Sequence, residues 1–251
     1  MHPACLLQCG VLLYFFALRR YTGTSKTGGE AMELDREEIL RYLGAGGAQV
    51  PPEVARLVEE VAAQVEATAR PRTVWRVFML EHRGEIPVLP QAGLVLEGRS
   101  ARLMLEESHR CVLLAATMGA EFDAQLRAAQ AADMARAVVL DACGSAGVEW
   151  ACDRAEEEIR QRLPEVHLTD RFSPGYGDLP LTLQGALCTA LDTPRRLGLH
   201  VTPSCLLNPG KSVTALIGLA DTPQRRRIRG CAYCALSATC TLRKRGKSCA
   251  P

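Results

Sequence analysis

The sequence lacks the long apolar run of a membrane-spanning helix and the glycine patterns of the common nucleotide-binding loops. Its N-terminal apolar run, from Cys5 to Leu18, is shorter than the roughly 20 residues needed to cross a bilayer. The chain has no Gly-x-Gly-x-x-Gly fingerprint and no Walker loop. No Ser-His-Asp or Cys-His set can be assembled, and we interpret these separated histidines as structural: His82, His109, His167 and His200. We therefore predict no catalytic residues in this chain and no membrane partner.

The composition is that of an ordinary globular protein rather than a secreted disulfide framework. The 251 residues are 47% hydrophobic and 23% charged, enough for one large domain or two small ones with a substantial core. The net charge of +2 excludes little, because the positive charge is concentrated near the C-terminus. Of the eleven cysteines, five lie scattered in apolar surroundings: Cys111, Cys143, Cys152, Cys188 and Cys205. This usage indicates a reducing compartment, and we predict a cytoplasmic protein.

Residues 1–31 differ in character from the rest of the chain. The positive charges at Arg19 and Arg20 follow the apolar run, whereas a signal peptide carries its positive charge before it. A mis-assigned start codon explains the segment better. The codons for Gly28-Gly29-Glu30 can form a purine-rich stretch that would serve as a ribosome-binding site just upstream of Met32. We therefore expect translation to begin at Met32 and residues 1–31 to be disordered or a short helix. The alternative is a membrane anchor.

From Met32 onward the sequence alternates predicted helices and strands. Asp35 with Glu38 resembles a capping box, and apolar residues at helical spacing after Pro52 continue to Pro71. A long helix is predicted from Ala132 to Leu163, with a charged latter half that we interpret as solvated. The other predicted elements are helices near 100–107, 121–130 and 181–191 and strands near 73–80, 94–96, 111–117, 199–201 and 212–220. The fold class is therefore α/β or α+β.

The stretch from Arg171 to Pro180 is unusually rich in proline and glycine for the middle of the chain. Pro174 fixes its own φ, and Gly175 can adopt positive φ and let a ligand approach the main chain. Tyr176 offers a flat apolar face with a polar tip, and Arg171 presents a rigid fork suited to a carboxylate. Taken alone, the stretch is more typical of a tight surface loop with an arginine in an ion pair.

The pattern Arg171-x-x-x-Gly175-Tyr176, with Pro180 following, resembles the S-adenosylmethionine-binding signature of the activation domain of cobalamin-dependent methionine synthase. The version here is similar to that of free-standing activation proteins, whereas the full synthase has Ala-Cys-Pro-Asp after the tyrosine. Residues 32–44 and 207–213 also resemble segments of that family, so the likeness covers residues 32 to 220.

The resemblance implies a fold, a ligand and partners. The fold would be α+β, a single curved domain over 32–222 with a central, mostly antiparallel sheet flanked by helices, followed by a Cys-rich tail. S-adenosylmethionine would be the ligand, and the cobalamin would be carried by the synthase, since no Asp-x-His-x-x-Gly motif is present here. The protein would act in trans, with electrons from a flavodoxin-like donor, as a component of a methyltransferase system rather than a complete enzyme. The implied ligand-binding residues are Glu165, Arg171, Ser173, Pro174, Gly175 and Tyr176.

The tail, residues 223–251, contains four clustered cysteines. Their number suits a tetrahedral zinc or an iron–sulfur cluster, although the spacing matches no standard cluster motif. They are Cys231, Cys234, Cys240 and Cys249. The surrounding basic residues would offset thiolate charge or bind an acidic electron carrier. Two further interpretations of the tail stay open: an unstructured segment, and a zinc module that binds nucleic acid. We expect no nucleic acid, because only Tyr233 is available for stacking.

For the function of the whole protein, one alternative also stays open: a reactivator of another corrinoid methyltransferase.

Overall fold

A five-stranded antiparallel sheet forms the centre of the computed structural model, which describes residues 22–26, 31–45, 49–223, 238–239, 241–244 and 246. Its strand order is β1-β2-β6-β10-β7. The strands are β1 (Thr22–Lys26), β2 (Arg72–Met79), β6 (Arg110–Thr117), β7 (His167–Leu168) and β10 (Ser212–Ala220). The central three are rich in β-branched and apolar residues, which fit a sheet that is buried on both faces.

Two smaller sheets complete the strands. One has the order β3-β4-β5 and the other pairs β8 with β9, all antiparallel. Their strands are β3 (Glu81–Arg83), β4 (Ile86–Leu89), β5 (Leu94–Val95), β8 (His200–Val201) and β9 (Leu207–Asn208). The three-stranded sheet lies between β2 and β6 in the chain, next to a short helix that contacts β4.

Helices cover both faces of the central sheet. They are α1 (Arg36–Tyr42), α2 (Pro52–Thr68), α3 (Arg99–Leu105), α4 (Ala120–Ala132), α5 (Met134–Arg162), α6 (Leu183–Leu191), α7 (Thr193–Leu197) and α8 (Thr241–Lys244). Alternation along β2 separates two cores: Trp75 and Val77 pack with α2 and α5, whereas Val74 and Phe78 pack with α3 and α6. No helix within the described residues is long and apolar enough to cross a bilayer.

The glycines of α5 allow close packing rather than a kink. A Cβ at Gly144 would lie 2.5 Å from the ring of Phe122, and one at Gly147 would lie 2.8 Å from the methyl carbon of Met118. Both positions are buried against α4 or the end of β6, so a larger side chain would have to displace the Phe122 ring or the Met118 side chain. The packing brings the middle of α5 close to α4 and to the end of β6.

The predicted mixed fold with a central antiparallel sheet is confirmed, and the structure differs locally from the sequence-based expectations. Residues 22–26 form strand β1 at the edge of β2, where we expected disorder or a short helix before Met32. The unpaired backbone edge of β2 offers hydrogen bonds to any extended segment, and Gly23 lies against the ring of Trp75. The β3–β4 hairpin was not predicted. Helix α3 runs from Arg99 to Leu105 after Gly98, where the sequence predicted a helix near 100–107.

Candidate ligand-binding loop

The loop from Arg171 to Pro180 is built from two successive β-turns. In the first, the amide of Tyr176 donates to the carbonyl of Ser173 at 3.1 Å, with Pro174 and Gly175 as the central residues. Gly175 has φ +87°, and proline followed by a positive-φ glycine defines a type II turn. Residues 173–176 therefore adopt the turn that their own sequence encodes.

The second turn follows at once and closes the loop. The amide of Leu179 donates to the carbonyl of Tyr176 at 3.1 Å, with Gly177 at φ +58° in its first central position. The amide of Gly175 donates to the carbonyl of Leu179 at 2.9 Å, which ties the two turns together. Tyr176 at their junction is 49% exposed, and its ring meets Phe172 edge-on with centroids 5.8 Å apart. An exposed aromatic face is thus held on a tightly hydrogen-bonded support.

Phe172 anchors the start of the loop to the central sheet. Its amide donates to the carbonyl of Leu216 in β10 at 3.0 Å, and it accepts from the amide of Leu216 at 2.9 Å. Its ring is buried in the core that contains α3 and α6. The side chains on either side of this bridge therefore have fixed positions relative to β10.

Arg171 contacts three carboxylates on one face of α5. Its Nη1 lies 2.6 Å from Asp153 Oδ1 and 2.8 Å from Glu156 Oε1, and its Nη2 lies 2.8 Å from Glu149 Oε2. The acidic residues are spaced i, i+4 and i+7, which places them along one stripe of a helix. The interpretation of this part of α5 as a solvated face is therefore wrong for Glu156, whose side chain is only 13% exposed. The spacing itself was the sequence signal that could have revealed the stripe.

The four charged groups, which we call the Arg171 cluster (Glu149, Asp153, Glu156 and Arg171), have a formal excess of negative charge. One guanidinium faces three carboxylates, so the cluster is net negative when all are ionised. The pKa of Glu149 is raised, chiefly because burial disfavours its charged form; Arg171 opposes this and Asp153 adds to it. The pKa of Arg171 is also raised: burial acts to lower it, but the surrounding anionic groups outweigh burial. The cluster would accept further positive charge readily.

Asp178 joins the loop to the start of α3. Its Oδ2 accepts from the amide of Arg99 at 2.6 Å and its Oδ1 from the amide of Ser100 at 3.0 Å. Burial acts to raise the pKa of Asp178, but these backbone donors and the Ser100 side chain together lower it. We did not foresee this role from the sequence, because the two partners lie far apart along the chain.

The remaining predicted site residues are not joined to the Arg171 cluster by any contact that the structure describes. Glu165 is exposed in the turn after α5, near His167, which pairs with Ala220 of β10. Phe172 pairs with Leu216, about 13 Å away along that strand. Ser173 is half-buried and Pro174 is buried. A ligand role for Glu165, Ser173 and Pro174 stays a prediction.

The predicted metal ligands cannot be located. Cys231, Cys234, Cys240 and Cys249 all lie outside the described residues. Among the residues that are described, no group of three or more His, Cys, Asp and Glu side chains is placed to hold a metal ion. The tail site stays a prediction.

Comparison with known proteins gives a structural match and no sequence match. No family model matches the chain, and no curated protein matches it. A solved structure described as the crystal structure of the MetH reactivation domain bound to AdoHcy superposes with a TM-score of 0.64. The two chains are 17% identical, and the match covers 91% of this chain and 86% of the other. This chain has the fold of the MetH reactivation domain. The likeness expected from Arg171-x-x-x-Gly175-Tyr176 is thereby confirmed at the level of the fold.

Proposed function

We propose that this protein binds S-adenosylmethionine at the Arg171–Tyr176 loop and reactivates a cobalamin-dependent methionine synthase in trans. The observation that carries the proposal is the loop itself. An exposed Tyr176 is held on a type II turn, in a loop that begins at Arg171, and Arg171 itself lies within an anionic cluster. The MetH reactivation domain, whose fold this chain shares, has been solved with AdoHcy bound.

The charge of the Arg171 cluster supports S-adenosylmethionine as the ligand. S-adenosylmethionine has a sulfonium and an ammonium against one carboxylate, so it is a net cation, whereas AdoHcy lacks the sulfonium. A half-buried site with excess carboxylate charge favours the cationic ligand, since Coulomb attraction is stronger where water is partly excluded. The three contacts to Glu149, Asp153 and Glu156 occupy three of the five N–H donors of Arg171. The other two remain for the ligand carboxylate.

The remaining residues would orient the ligand rather than react with it. Tyr176 provides a face for the adenine ring, and Gly175 allows the ligand to approach the main chain. A cobalamin carried by the synthase would supply the methyl-accepting metal, and an electron donor such as a flavodoxin-like protein would supply the electron. The part of this chain is to bind the methyl donor and position it against the partner. This is an accessory role in methionine biosynthesis.

Calorimetric titration of S-adenosylmethionine into the full chain tests the ligand proposal. We expect saturable binding that is weakened by at least about tenfold in Arg171→Ala, because a charge-assisted pair is lost. Arg171→Lys should restore little, because lysine keeps the charge but lacks the planar fork. AdoHcy should bind more weakly than S-adenosylmethionine.

Arg136→Ala is the matched control. Arg136 also pairs with a helix carboxylate, Glu60, at 2.7 Å, but it lies at the opposite end of α5. Its replacement should leave ligand affinity unchanged, and circular dichroism would confirm that each variant is folded. Equal affinity of Arg171→Ala and the parent would contradict the assignment of the site.

Reconstitution tests the partner. Addition of the protein to an inactive, oxidised synthase that lacks its own activation domain, with an electron donor and S-adenosylmethionine, should restore methionine formation. If the protein restored the activity of a different corrinoid methyltransferase instead, the proposed ligand site would stand and the proposed partner would be wrong.

A further inference from the structure

The N-terminus of α3 is capped by a residue from the ligand-binding loop instead of by its own sequence. Gly98 occupies the N-cap position with φ +116° and has no side chain to accept a hydrogen bond. The amides of Arg99 and Ser100 donate instead to the carboxylate of Asp178, 79 and 78 residues away along the chain. This long-range cap satisfies two amides that would otherwise face only solvent.

The two backbones meet closely at this cap. A Cβ at Gly98 would lie 2.9 Å from the carbonyl oxygen of Asp178, and a Cβ at Gly177 would lie 3.1 Å from Ser100 Oγ. Both glycines have positive φ, so a larger residue at either position would be strained as well as crowded. The two segments therefore pack closely around the cap, and only glycine fits at positions 98 and 177 without strain.

We propose that Asp178 is a positioning residue that fixes Tyr176 for the ligand, and that occupancy of the loop is thereby coupled to α3. The ligand part of this inference rests on the proposed function. The carbonyl of Tyr176 accepts from Leu179 across the turn that contains Asp178, so movement of the carboxylate moves the support of the aromatic ring. Because α3 contacts β4, the coupling reaches the three-stranded sheet, which contributes none of the predicted ligand residues.

The coupling makes reciprocal predictions. Asp178→Ala should bind S-adenosylmethionine about tenfold more weakly, because loss of the cap lowers the population of the binding-competent loop. Asp178→Asn should lie between the two, because its side chain keeps one acceptor oxygen and replaces the other with an NH2 group, which donates and cannot accept from the second amide. In the parent protein, saturating ligand should slow hydrogen exchange at the amides of Arg99 and Ser100, because linkage acts in both directions. In Asp178→Ala that ligand effect should disappear.

Asp35→Ala is the matched control. Asp35 likewise accepts from two backbone amides, those of Glu37 at 2.8 Å and Glu38 at 3.4 Å, at the start of α1. Its replacement should speed exchange at those amides and leave ligand affinity unchanged. A merely structural cap at Asp178 would behave in the same way as this control.

Two outcomes separate failure of this inference from failure of the proposed function. If the parent binds ligand, unchanged affinity of Asp178→Ala, with Arg99 and Ser100 amides insensitive to ligand, would overturn the coupling. If the parent does not bind, the proposed function fails, and the positioning role is judged without ligand. Asp178→Ala should then speed hydrogen exchange at the amide of Gly175, which donates to Leu179. Unchanged exchange there would overturn the positioning role as well.

Discussion

At the scale of single residues, Glu149 is where charge and burial conflict most directly. It faces Arg171, yet its pKa is raised, chiefly because burial penalises the ionised form more than Arg171 favours it. Its neighbour Asp153 is largely exposed, and the side chain of Glu156 is largely covered. The cluster is thus held in the folded state at some cost in stability near neutral pH, a pattern common at binding sites.

The pH dependence of stability should reveal this cost. A carboxyl whose folded pKa exceeds its unfolded value stabilises the fold below the unfolded pKa, and that stabilisation is lost as the pH rises through the folded pKa. Glu149→Gln is neutral at every pH, so its free energy of unfolding should improve relative to the parent between about pH 4 and pH 7. Denaturant unfolding of both proteins across that range measures the difference.

Glu157→Gln serves as the control for that measurement. Glu157 lies on the same helix with its side chain 45% exposed, and it is not among the carboxylates that contact Arg171. The difference in free energy of unfolding between Glu157→Gln and the parent should change less with pH than the difference for Glu149→Gln. If the two variants gave the same pH dependence, the raised pKa of Glu149 would not be the cause.

At the scale of elements, the type II turn depends on Gly175. Its φ of +87° disfavours any L side chain, and a Cβ would lie 3.0 Å from Leu181 Cδ1. Gly175→Ala should therefore lower the free energy of unfolding by about 1–2 kcal/mol. It should also weaken ligand binding, because Tyr176 follows the strained residue directly. Denaturant unfolding and calorimetry measure the two effects.

Gly185→Ala, in the next helix, should stabilise the protein where Gly175→Ala destabilises it. Gly185 lies in α6, and a Cβ there would have no neighbour within 4 Å. The substitution should raise the free energy of unfolding by about 0.5–1 kcal/mol, because alanine loses less conformational entropy in a helix. If both glycine variants behaved alike, the conformational argument for Gly175 would be wrong.

These elements also show how far sequence reasoning could reach. Pro174-Gly175 predicted a turn, and the apolar stripe of α2 predicted a helix, because both signals are local. The exposed strand Glu81–Arg83 was missed because it has no alternating apolar pattern. The Asp178 cap and the pairing of Arg171 with α5 join residues distant in the chain, and no local rule specifies such partners. The candidate loop was therefore predicted from its motif, whereas the contacts and charges around Arg171 came only from the structure.

At the scale of the whole molecule, β1 extends the central sheet beyond the predicted 32–222 domain. It pairs with β2 from Thr22–Arg76 to Lys26–Arg72, on the side of β2 away from β6 and β10. The candidate ligand-binding loop is anchored to β10, two strands beyond β2 across the sheet. The fold and the loop therefore depend on the β2-β6-β10 core, and β1 is an added edge.

A chain that begins at Met32 tests this division of the molecule. Trp75 is fully buried, and a Cβ at Gly23 of β1 would lie 2.2 Å from its Nε1. In a Trp150→Phe background, which leaves Trp75 as the single emitter of the 2 tryptophans, removal of residues 1–31 should shift its fluorescence to longer wavelength. Gly23→Val in the full chain should give part of the same shift, because the added side chain displaces β1 from the ring. S-adenosylmethionine affinity should be retained in both. Unchanged emission would mean that β1 does not cover Trp75 in solution, whereas loss of affinity would mean that β1 supports the loop across the sheet.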